Sequence, residues 1–199
     1  MRRVSSLVTA PVNTPVTLSE AKAHMRVTFS DDDTIIAIYI NAATALCEQI
    51  LQRKLITQTW KMYLDYWPNK INLLFGNLQS VTHIKYTDTD DSQETFSSDY
   101  YYVDTASIPG RVILKDQQTW PTDTLNASNP IEIQFVTGYG DESTDIPADI
   151  RNAVLLTTSH FYENRENSIV SNVQSMTIDD VPWTAKTLLS GHRVWDWIL

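Results

Sequence analysis

Helical periodicity at both ends of the chain, with strand alternation between them, predicts an α+β protein. The expected form is mainly a helical bundle, built from N- and C-terminal helices, with an inserted antiparallel or mixed β region. Three observations carry this expectation. Apolar residues recur at helical spacing over 17–53, the period switches to two directly after Lys54, and helical spacing returns behind Pro147. The predicted organisation is an N-terminal arm at 1–16, a helical body from 17–55 and 146–199 that ends in a docking segment, and a β-rich insertion at 56–145.

Thr17 and Glu20 have the spacing of a capping box, and Leu18, Ala21 and Met25 share one face of the short helix behind it. Ser30 with Asp33 predicts a second cap. Asp31, Asp32 and Asp33 would then lie in a first helical turn, where the backbone dipoles favour negative charge. Ile35, Tyr39, Ala42, Leu46 and Ile50 trace a long helix over 31–53. Ile36, Ala43 and Cys47 widen its apolar stripe, so burial on more than one side is expected.

Beyond Lys54, Ile56, Gln58, Trp60, Met62, Leu64 and Tyr66 share one face of a strand, which Pro68 and Asn69 end. Further strands are expected at 71–75, 81–87, 100–103, 111–114 and 131–137, with polar turns such as 88–94 between them. Pro147 suits the first turn of a helix carrying Ile150, Val154 and Phe161. A polar, aperiodic stretch follows at 167–180. Pro182 then precedes a last amphipathic segment interrupted by Gly191.

Of the 199 residues 42% are hydrophobic, enough for a real core. The formal charge of −9 repels a phosphate backbone, which argues against sequence-specific DNA reading. It is compatible with a wall past which DNA slides. Cys47 is the single cysteine, so no internal disulfide forms and a reducing compartment is expected. Arg2 and Arg3 are followed only by Val4, Leu7 and Val8 before Pro11; neither a signal peptide nor a membrane span is expected.

Reactive clusters are not evident. His24, His83, His160 and His192 lack the spacing of a helical zinc motif, and no metal or other cofactor is expected. Capping accounts for Asp31–Asp33 better than a cation site, since the spaced donors and glycine of a calcium loop are missing. Glu163 and Glu166 read as charges at a helix end, and adjacent Ser159 and His160 do not face each other on a helix. Gly138 and Gly140 lack a phosphate-binding pattern and read as a chain turn. No catalytic residue is assigned.

The aromatic residues call for a different reading. Trp60, Tyr66, Trp67 and Tyr101 are candidates for an interface with another subunit or a partner protein. Alternation aims Tyr101 away from Tyr100 and Tyr102, so one face of that strand is expected in a core and the other against a partner. Trp183, Leu188, Leu189, His192, Arg193, Val194, Trp195 and Trp197 form a candidate docking segment.

Several segments together resemble the head–tail connector, or adaptor, proteins of tailed double-stranded DNA phages. They are “TLSEAKAHMRV”, the run “DDDTIIAIYINAATALCEQILQRKLITQTWKMYLDYWP”, then “IEIQFVTGYG”, “IPADIRNAVLLTTSHFYENRE” and “LLSGHRVW”. The resemblance implies a homo-oligomeric ring, commonly of twelve subunits, attached to the portal protein. It also implies a platform for the next neck or tail-completion protein, with double-stranded DNA close by in the channel. The location would be the virion neck, reached from the host cytoplasm, with no membrane and no enzymatic step. By the same resemblance, the C-terminal candidates would dock onto the portal. A small hydrolase with an unorthodox site and a monomeric protein-binding module are the alternatives.

Overall fold

The computed structural model describes residues 3–164 and 182–194. The chain divides into two units. One comprises residues 1–11, 57–139 and 194–199 and holds the strands; the other comprises 12–56 and 140–193 and holds the helices.

The β unit contains two antiparallel sheets. The larger has the order β1-β2-β8-β4-β5, from Arg3–Thr9, Gln58–Leu64, Ile131–Thr137, Leu78–Thr87 and Gln93–Phe96. The smaller has the order β3-β7-β6, from Ile71–Asn72, Arg111–Leu114 and Tyr101–Asp104. β8 lies between β2 and β4, and its alternation is complete: Ile131, Ile133, Phe135 and Thr137 are buried while the residues between them are half-exposed. Met62, Leu64, Ile84 and Tyr86 join them from the flanking strands, and Ile71, Leu73, Tyr101 and Val112 complete the core. Full burial of each large aliphatic side chain contributes about 1.5–3 kcal/mol. The Thr137 hydroxyl, also in the interior, donates towards the carbonyl of Gly76 at 3.0 Å.

The helical unit consists of α1 (Leu18–Met25), α2 (Asp33–Leu51), α3 (Ala148–Glu163) and α4 (Trp183–Ser190). The capping box forms as the spacing predicts: the Glu20 N–H donates to Thr17 Oγ1 at 3.2 Å and the Thr17 N–H to Glu20 Oε2 at 2.7 Å. Arg151 of α3 pairs with the same Glu20. Ile36, Ile40, Ala43 and Cys47 of α2 are buried, as are Ile150, Ala153, Val154, Thr157 and Thr158 of α3, which packs on it. Both threonines donate their hydroxyls to the carbonyl four residues back, at 2.8 Å. Polar side chains are thereby accommodated in a dry seam.

Two expectations are corrected. The protein is not mainly a helical bundle: helix and strand contribute about equally, and the strands form two sheets of their own. The long helical patterns at the chain ends dominate a reading by periodicity, whereas short strands such as β3 and β5 give little signal apiece. β1 was also hidden, because Val4, Ser5, Ser6, Leu7 and Val8 do not alternate and the strand is an exposed edge. Its ladder to β2 pairs Arg3 with Leu64 and Leu7 with Trp60. The second correction concerns Ser30, which does not cap α2. Asp32 occupies the cap position without a side-chain capping bond, and its carboxylate accepts from the Tyr162 hydroxyl at 2.6 Å.

The turn after β8 accounts for both glycines of the “GYG” segment. Gly138 has φ 141°, a conformation side chains disfavour. Within the helical unit, a Cβ on Gly140 would lie 2.1 Å from Asp145 Oδ2. That carboxylate is held by the Glu142 N–H at 3.0 Å in the turn leading to α3.

Candidate interaction surfaces

Most of the aromatic residues proposed for an interface pack within the β unit. Trp60 lies 4.7 Å from Phe75, ring centre to ring centre, and its indole N–H donates to Gln58 at 2.9 Å. Trp67 stacks on Trp120 at 4.7 Å with the planes 7° apart. Tyr101 is buried and stacks on Phe96 at 5.9 Å. Among the four, Tyr66 is the exposed one. Alternation holds at Tyr101: its neighbours Tyr100 and Tyr102 are exposed, and Lys115 lies 5.2 Å over the Tyr102 ring. Trp120, central to the cluster, carried no sequence signal because it sits in an irregular segment between β7 and β8.

Beside this cluster is an open cleft of about 550 Å³. Phe96 forms part of its lining, with Trp120 at 5.3 Å and Tyr100 at 5.6 Å, ring to ring. Tyr86 donates its hydroxyl to Glu94 at 2.7 Å. That bond, burial and the nearby Asp123 carboxylate push the Tyr86 phenol above its usual range.

The outer face of the larger sheet is polar. Glu132 accepts from Lys61 Nζ at 3.0 Å and from the Tyr63 hydroxyl at 3.2 Å, and His83 Nε2 lies 3.1 Å away. Burial opposes ionisation of Glu132, but His83 and Lys61 outweigh it and hold the carboxyl below its ordinary value.

The candidate docking segment is divided. Trp183 is 76% exposed, Arg193 is exposed, and Leu188 and His192 are half-buried, whereas Leu189 and Val194 are buried. His192 Nε2 lies 2.6 Å from Asp149 Oδ2, tying the end of α4 to the first turn of α3. Trp195 and Trp197 lie outside the described residues.

α2 also carries exposed apolar side chains. Ile38 is 55% exposed, Ala42 and Ala45 are exposed, and Ile35 and Leu46 are half-buried. By length and composition α2 is apolar enough to cross a membrane, yet its opposite side is the packed seam against α3. The sequence predicted burial of α2 on more than one side but placed the main stripe on Ile35, Tyr39, Ala42, Leu46 and Ile50. The buried seam instead runs through Ile36, Ile40, Ala43, Cys47 and Leu51.

No cluster of three or more metal-binding side chains occurs among the described residues. The Ser159 hydroxyl donates to Glu163 at 3.3 Å, and Cys47 is buried, which pushes its thiol up to about 11. Glu166 lies outside the described residues.

Among the described residues the chain forms two antiparallel sheets and four α-helices. A family model described as head completion protein matches residues 15–195. The chain belongs to that family and is a structural head-completion subunit. No curated protein matches it. Among solved structures it is similar to a chain titled as the neck of an empty gene transfer agent particle computed with C6 symmetry. The TM-score is 0.79 at 20% identity, covering 96% of both chains. A chain of the native particle's neck, computed with C12 symmetry, matches at TM-score 0.77 and 20% identity, again over 96% of both. A chain from the virion of the native gene transfer agent particle gives 0.77 at 21% identity, over 96% of this chain and 95% of that one. The fold is the one these chains share.

Proposed function

We propose that this head-completion subunit is a head–tail connector of the virion neck: one member of a ring that attaches to the portal, surrounds the DNA path and carries the next neck or tail component. The match to the family over residues 15–195 carries the reading. A fold shared with chains from necks of C6 and C12 symmetry supports a ring. The predicted role is geometric, with no bond made or broken.

The physics agrees. Every contact in a closed ring is head-to-tail, so each subunit needs two different complementary surfaces that its own fold leaves uncovered. The Ile38–Ala42–Ala45 face of α2 can supply one of them better than Trp60, Trp67 and Tyr101 of the β unit, whose rings already pack internally. The net charge of −9 disfavours tight phosphate binding and suits a channel through which DNA moves. In this reading Trp183, Leu188 and Arg193 supply the accessible part of the portal-docking segment, and buried Leu189 and Val194 set its shape.

Electron microscopy and native mass spectrometry of the protein, alone and mixed with the portal protein of its own particle, test this. Rings or portal-bound assemblies are expected. Ile38→Asp should reduce ring population at least about tenfold while leaving the circular dichroism of the subunit unchanged. Trp183→Ala with Leu188→Ala should weaken portal attachment and leave ring formation alone. A protein that stays solitary in both mixtures sinks the proposal.

A further inference from the structure

We propose that the cleft between Trp120 and Tyr100 is a docking slot for an arginine side chain presented by an extended segment of a protein partner. The inference is independent of the ring reading, because every residue it uses lies in the β unit.

The walls of the slot are aromatic. Trp120 and Tyr100 each pack against Phe96, and one face of Trp120 is already occupied by the parallel ring of Trp67. Tyr100 is 44% exposed, so its ring is accessible from solvent. The electrostatics identify the guest. Two carboxylates, Glu94 and Asp123, line the cleft, and Glu94 accepts the one proton that the Tyr86 hydroxyl can donate, at 2.7 Å. Among the described residues lining the cleft none is Lys, Arg or His.

The class of guest follows by elimination. An apolar side chain filling the cleft would desolvate two carboxylates with no cation beside them in its lining, which is costly. An anion would be repelled. A cation relieves the repulsion and is attracted by the ring faces. Between the two protein cations, the guanidinium fits better. It is planar, stacks on an indole, and its fork of N–H donors reaches two acceptors together, whereas an ammonium is a compact point charge. A partner segment with a basic residue would also be steered to this strongly acidic chain.

The test uses the full-length protein with its tryptophan indoles labelled by ¹⁵N, titrated with a short extended peptide that is neutral apart from one central arginine. A saturable shift of the Trp120 indole signal is expected, weakening as salt is raised. The same peptide with citrulline, which keeps the shape and loses the charge, should bind about tenfold or more weakly. Asp123→Asn, an exposed position whose replacement leaves the core intact, should weaken arginine binding severalfold without altering the spectrum of the free protein. Glu94→Gln, which keeps a hydrogen-bonding partner for Tyr86, should act in the same direction. An unmoved Trp120 signal, equal binding of the citrulline peptide, or an Asp123→Asn protein that binds as well as the parent would overturn the proposal. So would free arginine amide binding as tightly as the peptide, since the slot would then read a small guanidinium and not a protein segment.

Discussion

The β unit and the helical unit solve opposite problems with their apolar residues. In the β unit many large rings turn inwards, although Tyr66, Tyr100 and Tyr102 are exposed: Trp60 on Phe75, Trp67 on Trp120 and Tyr101 on Phe96 are internal contacts, and the outer face of the five-stranded sheet carries Lys61, His83 and Glu132. In the helical unit the internal seam is made of smaller or slimmer side chains, Ala43, Cys47 and Ala153 among them, and the apolar remainder of α2 faces out. The lesson is that an apolar residue marks a partner surface only when its own fold has no use for it. Aromatic richness by itself marks nothing of the kind.

That contrast can be broken by substitution, and the largest effect belongs to the sheet. Phe135→Ala, at a fully buried position of β8, should cost about 3–5 kcal/mol in urea unfolding, since it removes a large ring from the centre of a packed core. A cost near 1 kcal/mol would mean that the β core is loose and that its aromatic residues are not its main support. Next comes the helical seam. Ala43→Leu adds volume where α2 meets α3 and should destabilise the protein by about 1–3 kcal/mol, while the same change at exposed Ala45 should be nearly neutral. Equal effects at the two positions would erase the distinction between seam and outer face.

The smallest effect concerns pH. Partial burial opposes ionisation of Asp149, but the bonds from His192 and from the Ile150 N–H prevail and lower its pKa. A carboxyl depressed on folding stabilises above its unfolded value, near 3.9, and that contribution is lost as pH falls through the lower folded value. Asp149→Asn should therefore cost about 0.5–1 kcal/mol at neutral pH, the modest scale of an exposed pair at a helix start, and nothing in strong acid. Urea unfolding at both pH values checks this, and an undiminished effect in acid would show that charge is not the cause.

Legibility in the sequence tracked the length and regularity of each element. The strand of Gln58–Leu64, the strand of Ile131–Thr137 and the helix of Ala148–Glu163 were readable because several side chains in a row obey one period. The stops of α1 and α2 were blurred for a definite reason: Arg26 and Gln52 adopt the left-handed conformation at their ends, where a glycine would have announced the stop. The exposed face of α2 was half legible. Its apolarity is plain, but a helix apolar on two sides does not say which side is inside, and the seam chose Ile36, Ile40 and Cys47. The cleft was illegible, because Tyr86, Phe96 and the segment holding Trp120 and Asp123 are far apart in sequence and only tertiary pairing assembles them.

The strand at Arg3–Thr9 carries a practical warning. Its ladder partner is Gln58–Leu64, so during synthesis the first strand must wait while two helices emerge before its mate exists. Trimming those first residues would expose the backbone of β2 and turn a finished border into a sticky one. Affinity tags and fusion partners attached there would crowd a working piece of the sheet.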